Sequence, residues 1–218
     1  LYLNNNQIDK IPTEIGNLLN LKEFDLNGNQ IISIPIEIGK LFNLKLLNLG
    51  NNKIKSIPIQ ITNLLQLEIL NLSCNRITTL SIEIGKLFNL KLLNLCNNKI
   101  KSIPIQIYNL LQLEILDLSC NKITSLPTEI GNLLNLQYLY LNHNKIITLP
   151  IEIIKLLNLK ELSLSDNKIR IIPIELCSLL NLKDTMFDYS ALNLNNNPIQ
   201  FPPKNIIKKE TNEKGTNK

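Results

Sequence analysis

With a single histidine in 218 residues, a His-based triad or a multi-histidine metal site is excluded except around His143. The four cysteines, Cys74, Cys96, Cys120 and Cys177, form no C-x-x-C pair and no zinc set. The net charge of +5 divides into +3 from residue 204 onward and +2 before it, so the body of the chain is close to neutral and lacks the Lys/Arg stripe of a nucleic-acid binder.

Taken in order, the chain opens with Leu1 and Leu3, which fall where Phe24 and Leu26 fall later. The opening residues thus sit inside a repeated unit, and the expectation is a fragment of a longer array. The beat is carried by Asn29, Asn52, Asn75, Asn98, Asn121, Asn144 and Asn167, each 23 residues after the last, with Asn6 one step before. Pro12, Pro35, Pro58, Pro104, Pro127, Pro150 and Pro173 keep the same step, and Ser81 fills the one vacant slot. A fixed period of roughly 20–50 residues signals a stacked repeat architecture, in which each unit buries its apolar face only against its neighbours.

Residues 21–43 serve as the unit. Leu21, Phe24 and Leu26 give L-x-x-L-x-L, followed by Asn29, Ile31, Ile34-Pro35, Ile38-Gly39, Leu41 and Asn43. This pattern resembles the leucine-rich repeat, and the resemblance runs from Leu1 to about Pro203. The second half of the unit, I-P-x-E-I-G-x-L-x-N-L, is similar to that of the intracellular Ras-group and the Scribble and erbin class. The resemblance implies an α/β solenoid: a horseshoe with a parallel concave β-sheet and short helical or 3-10 turns on its convex side. It also implies a module that binds other proteins.

The residues support the same picture. Alternation turns Leu44, Leu47 and Leu49, and their equivalents, inward from a short strand. The asparagine that follows sits where the chain leaves the sheet. Its amide both donates and accepts, so Asn29, Asn52, Asn75, Asn98, Asn121, Asn144, Asn167 and Asn197 are expected to satisfy buried backbone groups in their own rung and the next. The proline suits the first position of a helical turn, and Glu14, Glu37, Glu83, Glu129, Glu152 and Glu175 follow two residues later, where negative charge is favoured. Gly16, Gly39, Gly85 and Gly131 let the segment bend back, with Asn63, Asn109, Ile154 and Cys177 expected in that slot elsewhere. Residues 36–81 nearly repeat residues 82–127, so two-rung units have been copied.

After residue 182 the beat slips. The next asparagine of the series is Asn197, seven residues late, with the extra residues lying within 183–190. Leu192, Asn193 and Leu194 resume the strand. The expected organisation is one repeat domain over residues 1–203 and a basic, disordered tail over 204–218.

Function is expected on the concave sheet. One outward column reads Glu23, Leu46, Ile69, Leu92, Ile115, Tyr138 and Glu161, an apolar stripe between acidic ends. Its neighbour reads Tyr2, Asp25, Asn48, Asn71, Asn94, Asp117, Tyr140 and Ser163. An apolar strip with aromatic anchors and a polar rim suits a protein partner. The candidate contacts are Leu46, Ile69, Leu92, Ile115, Tyr138, Tyr140, Asp117 and His143, although a plain surface role is the simpler reading of His143. No catalytic, cofactor-binding or metal-binding set is expected, and no Gly-rich phosphate loop is present. No apolar run reaches the roughly 18 residues of a membrane span, and unpaired cysteines fit a reducing compartment. The chain therefore reads as a cytoplasmic, monomeric, non-catalytic interaction module or scaffold. The alternative is the recognition segment of a larger enzyme, such as a ligase, cyclase, GTPase or nuclease.

Overall fold

The computed structural model describes residues 1–178 and 192–200. Among these, eight short strands form one open sheet in chain order: β1 (Glu23–Asp25), β2 (Leu46–Asn48), β3 (Ile69–Asn71), β4 (Leu92–Asn94), β5 (Ile115–Asp117), β6 (Tyr138–Tyr140), β7 (Glu161–Ser163) and β8 (Leu192–Asn193). Every neighbouring pair is parallel and in step, so Leu46 lies beside Ile69, Ile69 beside Leu92 and Leu92 beside Ile115. Parallel strands need a crossover, and here each crossover carries one short 3-10 turn, such as Ile36–Lys40 or Ile82–Lys86. The result is a horseshoe solenoid with the sheet on its concave side.

The core is a column of aliphatic side chains threaded through the rungs. Leu44, Leu47, Leu49 and Ile54 are fully buried, and so are their equivalents Leu90, Leu93, Leu95 and Ile100. Burying one such side chain stabilises by about 1.5–3 kcal/mol relative to leaving it exposed. Uniform size matters as much as apolarity, because each side chain packs on its own image one rung away.

The buried asparagines close each turn. The Asn52 Nδ2 donates to the carbonyls of Leu26 (3.0 Å) and Leu49 (3.1 Å), while its Oδ1 accepts from the Ile31 N–H (2.9 Å). Leu49 belongs to the asparagine's own rung; Leu26 and Ile31 belong to the preceding one. The second rung served is thus the one before, not the one after as expected, because each side chain points back along the solenoid axis. The same three partners recur at Asn75, Asn98, Asn121, Asn144 and Asn167. At Asn197 the acceptor bond reaches Ile169, 28 residues back instead of the usual 21. The seven extra residues are therefore absorbed without losing the ladder. Residues 183–190, Pro203 and the 204–218 tail lie outside the described residues.

Each convex turn begins one residue after its proline. Pro35 is the cap at φ −69°, not the first helical residue as the spacing suggested, and Glu37 lies in the first turn. Where proline is missing, Ser81 holds the same backbone at φ −67° and its hydroxyl accepts from the Glu83 N–H (3.2 Å). Serine thus caps with its side chain where proline acts by its fixed dihedral.

The glycine slot corrects the sequence reading. Counting 23 residues on from Gly39 and Gly85 gives Thr62 and Tyr108, not Asn63 and Asn109, and both are buried. These glycines have no left-handed φ; they are needed for close approach. A Cβ at Gly39 would lie 2.5 Å from the Gln60 carbonyl oxygen, and one at Gly85 would lie 2.3 Å from that of Gln106. Turns pack tightly where glycine precedes and stand further apart behind Thr62, Tyr108 and Ile154.

Candidate protein-binding face

Strand alternation leaves one residue in two facing out of the sheet. Leu47, Leu70, Leu93, Leu116 and Leu139 are buried behind it, and Leu46, Ile69, Leu92, Ile115 and Tyr138 stand on its open side. The register aligns these five directly across neighbouring strands. Four strand gaps make the stripe about 19 Å long. Its members are half-buried, because at this spacing each side chain covers the flanks of the next.

The stripe ends in aromatics. Tyr138 and Tyr140 stack with ring centroids 6.4 Å apart and planes 20° from parallel. Tyr140 donates its hydroxyl to Glu161 Oε2 (3.0 Å), and Lys160 Nζ lies 5.9 Å from the Tyr138 ring centroid. Burial first, then the bond to Glu161 and its charge, push the Tyr140 hydroxyl well above the ordinary tyrosine range. It therefore stays a neutral donor. The pair is rigid and amphipathic, as suits an interface anchor.

The neighbouring column serves the fold. Asn48, Asn71 and Asn94 each accept, through Oδ1, the N–H two residues on, which turns the chain out of the strand. Asp117 does the same for Ser119, taking both its N–H (2.9 Å) and its hydroxyl (2.6 Å) on one oxygen. One carboxylate oxygen of that expected contact residue is thus committed internally. Tyr140 replaces this Asx turn with a side chain that spreads over the face.

His143 stands apart on the rim, exposed, with Nδ1 3.6 Å from Asp166 Oδ2. Its slot is left-handed in every rung: Asn5, Gly28, Asn51, Cys74, Asn97, Cys120, His143, Asp166 and Asn196 all have positive φ. That conformation is open to Gly and favoured by Asn, Asp and His among the others, so Cys74 and Cys120 are the members of the column that hold it least readily.

A charged row on the entry side of the strands went unnoticed in the sequence, though it keeps the 23-residue step. Lys45 and Lys91 flank Glu68 at 3.0 and 2.9 Å. The bond from Lys91, then that from Lys45, hold the Glu68 carboxyl below its usual range. Further along, Gln137 donates to Glu114 (3.4 Å) and Lys160 donates to Gln137 (2.7 Å). With Gln112, Asn135 and Asn158 these residues line a shallow polar recess of about 390 Å³. No cluster of three or more His, Cys, Asp or Glu positioned for a metal occurs among the described residues.

Residues 81–183 match the family described as a leucine-rich repeat region, and residues 20–41, 43–64 and 66–87 each match a single leucine-rich repeat. The chain belongs to the leucine-rich repeat family. No curated protein matches this leucine-rich repeat chain in sequence. Among solved structures, a leucine-rich repeat protein of Leptospira interrogans is 41% identical with a TM-score of 0.88, over 95% of this chain and 51% of that one. The plant peptide hormone receptor RGFR1, in complex with RGF2, is 33% identical with a TM-score of 0.78, over 87% of this chain and 30% of that one. The Arabidopsis receptor kinase HAESA, in complex with the peptide hormone IDA and the co-receptor SERK1, is 26% identical with a TM-score of 0.76, over 88% of this chain and 34% of that one. The chain thus spans about half the length of the first and about a third of the receptors. Leucine-rich repeats are in general interaction modules.

Proposed function

We propose that this leucine-rich repeat module captures a partner protein on its concave sheet and carries no chemistry of its own. The observation that carries the reading is the unbroken open stripe from Leu46 to Tyr138, closed by the Tyr138–Tyr140 pair. The peptide-hormone complexes of the plant receptors support a protein or peptide as the occupant. The partner packs its apolar residues on Leu46, Ile69, Leu92 and Ile115, and a polar group beside Tyr140 and Asp117. His143 borders the contact at the rim.

We place the module in the intracellular Ras-group, Scribble-erbin-like class, as a cytoplasmic scaffold in signal transduction. The free thiols of Cys74, Cys96 and Cys120 support a reducing compartment. No helix among the described residues is long and apolar enough to cross a membrane.

The test is capture from an extract of the source cells by the immobilised chain. Ile115→Glu and Tyr138→Glu are expected to abolish capture with an unchanged melting temperature, because neither side chain is part of the core. Normal capture by both variants would contradict the reading.

A further inference from the structure

The most exposed apolar column of the molecule is not on the concave face. Leu19, Phe42, Leu65, Phe88, Leu111 and Leu134 recur at the 23-residue step, and each keeps more than half of its surface open, from 53% at Leu65 to 58% at Phe88. They sit in the turn that leads into each strand, on the flank opposite the buried asparagine ladder. A second apolar column, Ile36, Ile59, Ile82 and Ile105 at the start of the convex turns, is interrupted by Thr128. The flank column has no such break over six rungs.

On its strand side the ridge is bordered by neutral amides, and on its other side by the turn ends that carry Lys40 and Lys86. Asn43, Asn89, Asn135 and Asn158 donate from Nδ2 to the carbonyls of Leu19, Leu65, Leu111 and Leu134 in the preceding rung, at 2.7–2.9 Å. Gln66 and Gln112 occupy the same column between them. These bonds fix each ridge residue one rung from the next. The flank therefore presents a row of large apolar side chains beside a row of neutral amides, repeated at one spacing.

We infer that this flank is a self-association surface, with a second copy of the same chain as its occupant. Large apolar patches on soluble proteins mark association sites. Six half-open Leu and Phe side chains offer on the order of 600 Å² per copy, or about 1,200 Å² for a pair, the lower bound for a stable specific interface before the amides are counted. A second copy brings the same rung spacing, so apolar meets apolar at every rung. The ridge and the amide row themselves carry no charge, so the centre of the contact is apolar and neutral. Two-fold symmetry makes the pairing self-limiting, and it leaves both concave sheets open. The pair departs from the monomer that the sequence suggested.

Sedimentation equilibrium of the full chain tests this. The expected mass is twice that of one 218-residue chain at micromolar concentration, and the double variant Phe42→Glu, Phe88→Glu is expected to halve it. Both residues lie outside the core, and an unchanged far-ultraviolet spectrum with a single cooperative melting transition verifies that the variant folds. Ile115→Glu, on the concave face, is expected to leave the doubled mass intact. A single-chain mass for the unaltered protein up to about 100 µM, well above the dissociation constants of specific interfaces of this size, would overturn the proposal. So would a doubled mass that survives the double substitution or is lost with Ile115→Glu.

Discussion

Two columns of side-chain amides follow the repeat, one of asparagines and one of mixed Asn and Gln, and their energetic weights differ by burial. Asn98 is buried and holds the Ile77 N–H and the Leu72 and Leu95 carbonyls. Asn89 is exposed and donates once, to Leu65. Leaving a buried polar group unpaired costs about 1–3 kcal/mol, whereas an exposed group turns to water. Asn98→Ala is therefore expected to lower the unfolding free energy by about 3 kcal/mol or more, and Asn89→Ala by about 0.5 kcal/mol; urea denaturation measures both. Tyr108 presents the reverse case. Its ring is fully buried, and its hydroxyl has no hydrogen-bond partner among the described residues. Tyr108→Phe is expected to stabilise by about 1 kcal/mol. The same burial pushes the hydroxyl far above the ordinary tyrosine range. The unfolded chain releases this proton near pH 10 while the folded chain keeps it, so stability falls as pH rises above about 10. Tyr140 is shifted in the same direction by burial and Glu161. Melting curves between pH 9 and 11 are expected to show a shallower alkaline decline for Tyr108→Phe, with the remainder shared by Tyr140, by Cys96, whose thiol burial pushes up to about 11, and by Tyr2 and Lys91, both also raised.

At the scale of the repeat element, spacing is set on the convex side. Behind Gly39 and Gly85 the next turn comes so close that a methyl group would strike a carbonyl oxygen. Gly85→Ala is expected to cost about 2 kcal/mol through a forced shift of the Gln106 turn, read as a lowered urea midpoint. At the cap of the same turn, Ser81→Pro works the other way. Ser81 already has φ −67°, as its prolyl equivalents do, so proline removes unfolded-state freedom without strain. A gain of up to about 0.5 kcal/mol is expected, less whatever the Ser81 cap contributes. The repeat itself was legible in the sequence because position and burial share one period: each inward Leu, each buried Asn and each turn recur 23 residues on. What the period hid is what differs between copies. Thr62 and Tyr108 sit in a glycine slot, and a one-residue slip placed Asn63 and Asn109 there instead. Exposure was hidden too: Leu64 and Leu65 are both leucine, yet one is buried and the other more than half open.

At the scale of the whole molecule, parallel stacking separates stability from recognition. The inward side chains and the buried amides hold the rungs together, and the open face of the sheet is free of that duty apart from the Asx turns beside it. The stripe from Leu46 to Tyr138 could be read in the sequence because outward strand positions also keep the period. The charged row of Lys45, Glu68 and Lys91 and the Leu/Phe flank keep it equally, but nothing in a sequence column says which side of the solenoid it faces. The most direct measurement is site-specific photocrosslinking in an extract of the source cells, with a photoreactive residue at Ile115 on the concave face or at Ile82 on the convex turn. A discrete partner adduct from position 115 and none from position 82 is predicted. Adducts from position 82 alone, or equally from both, would contradict capture on the concave sheet.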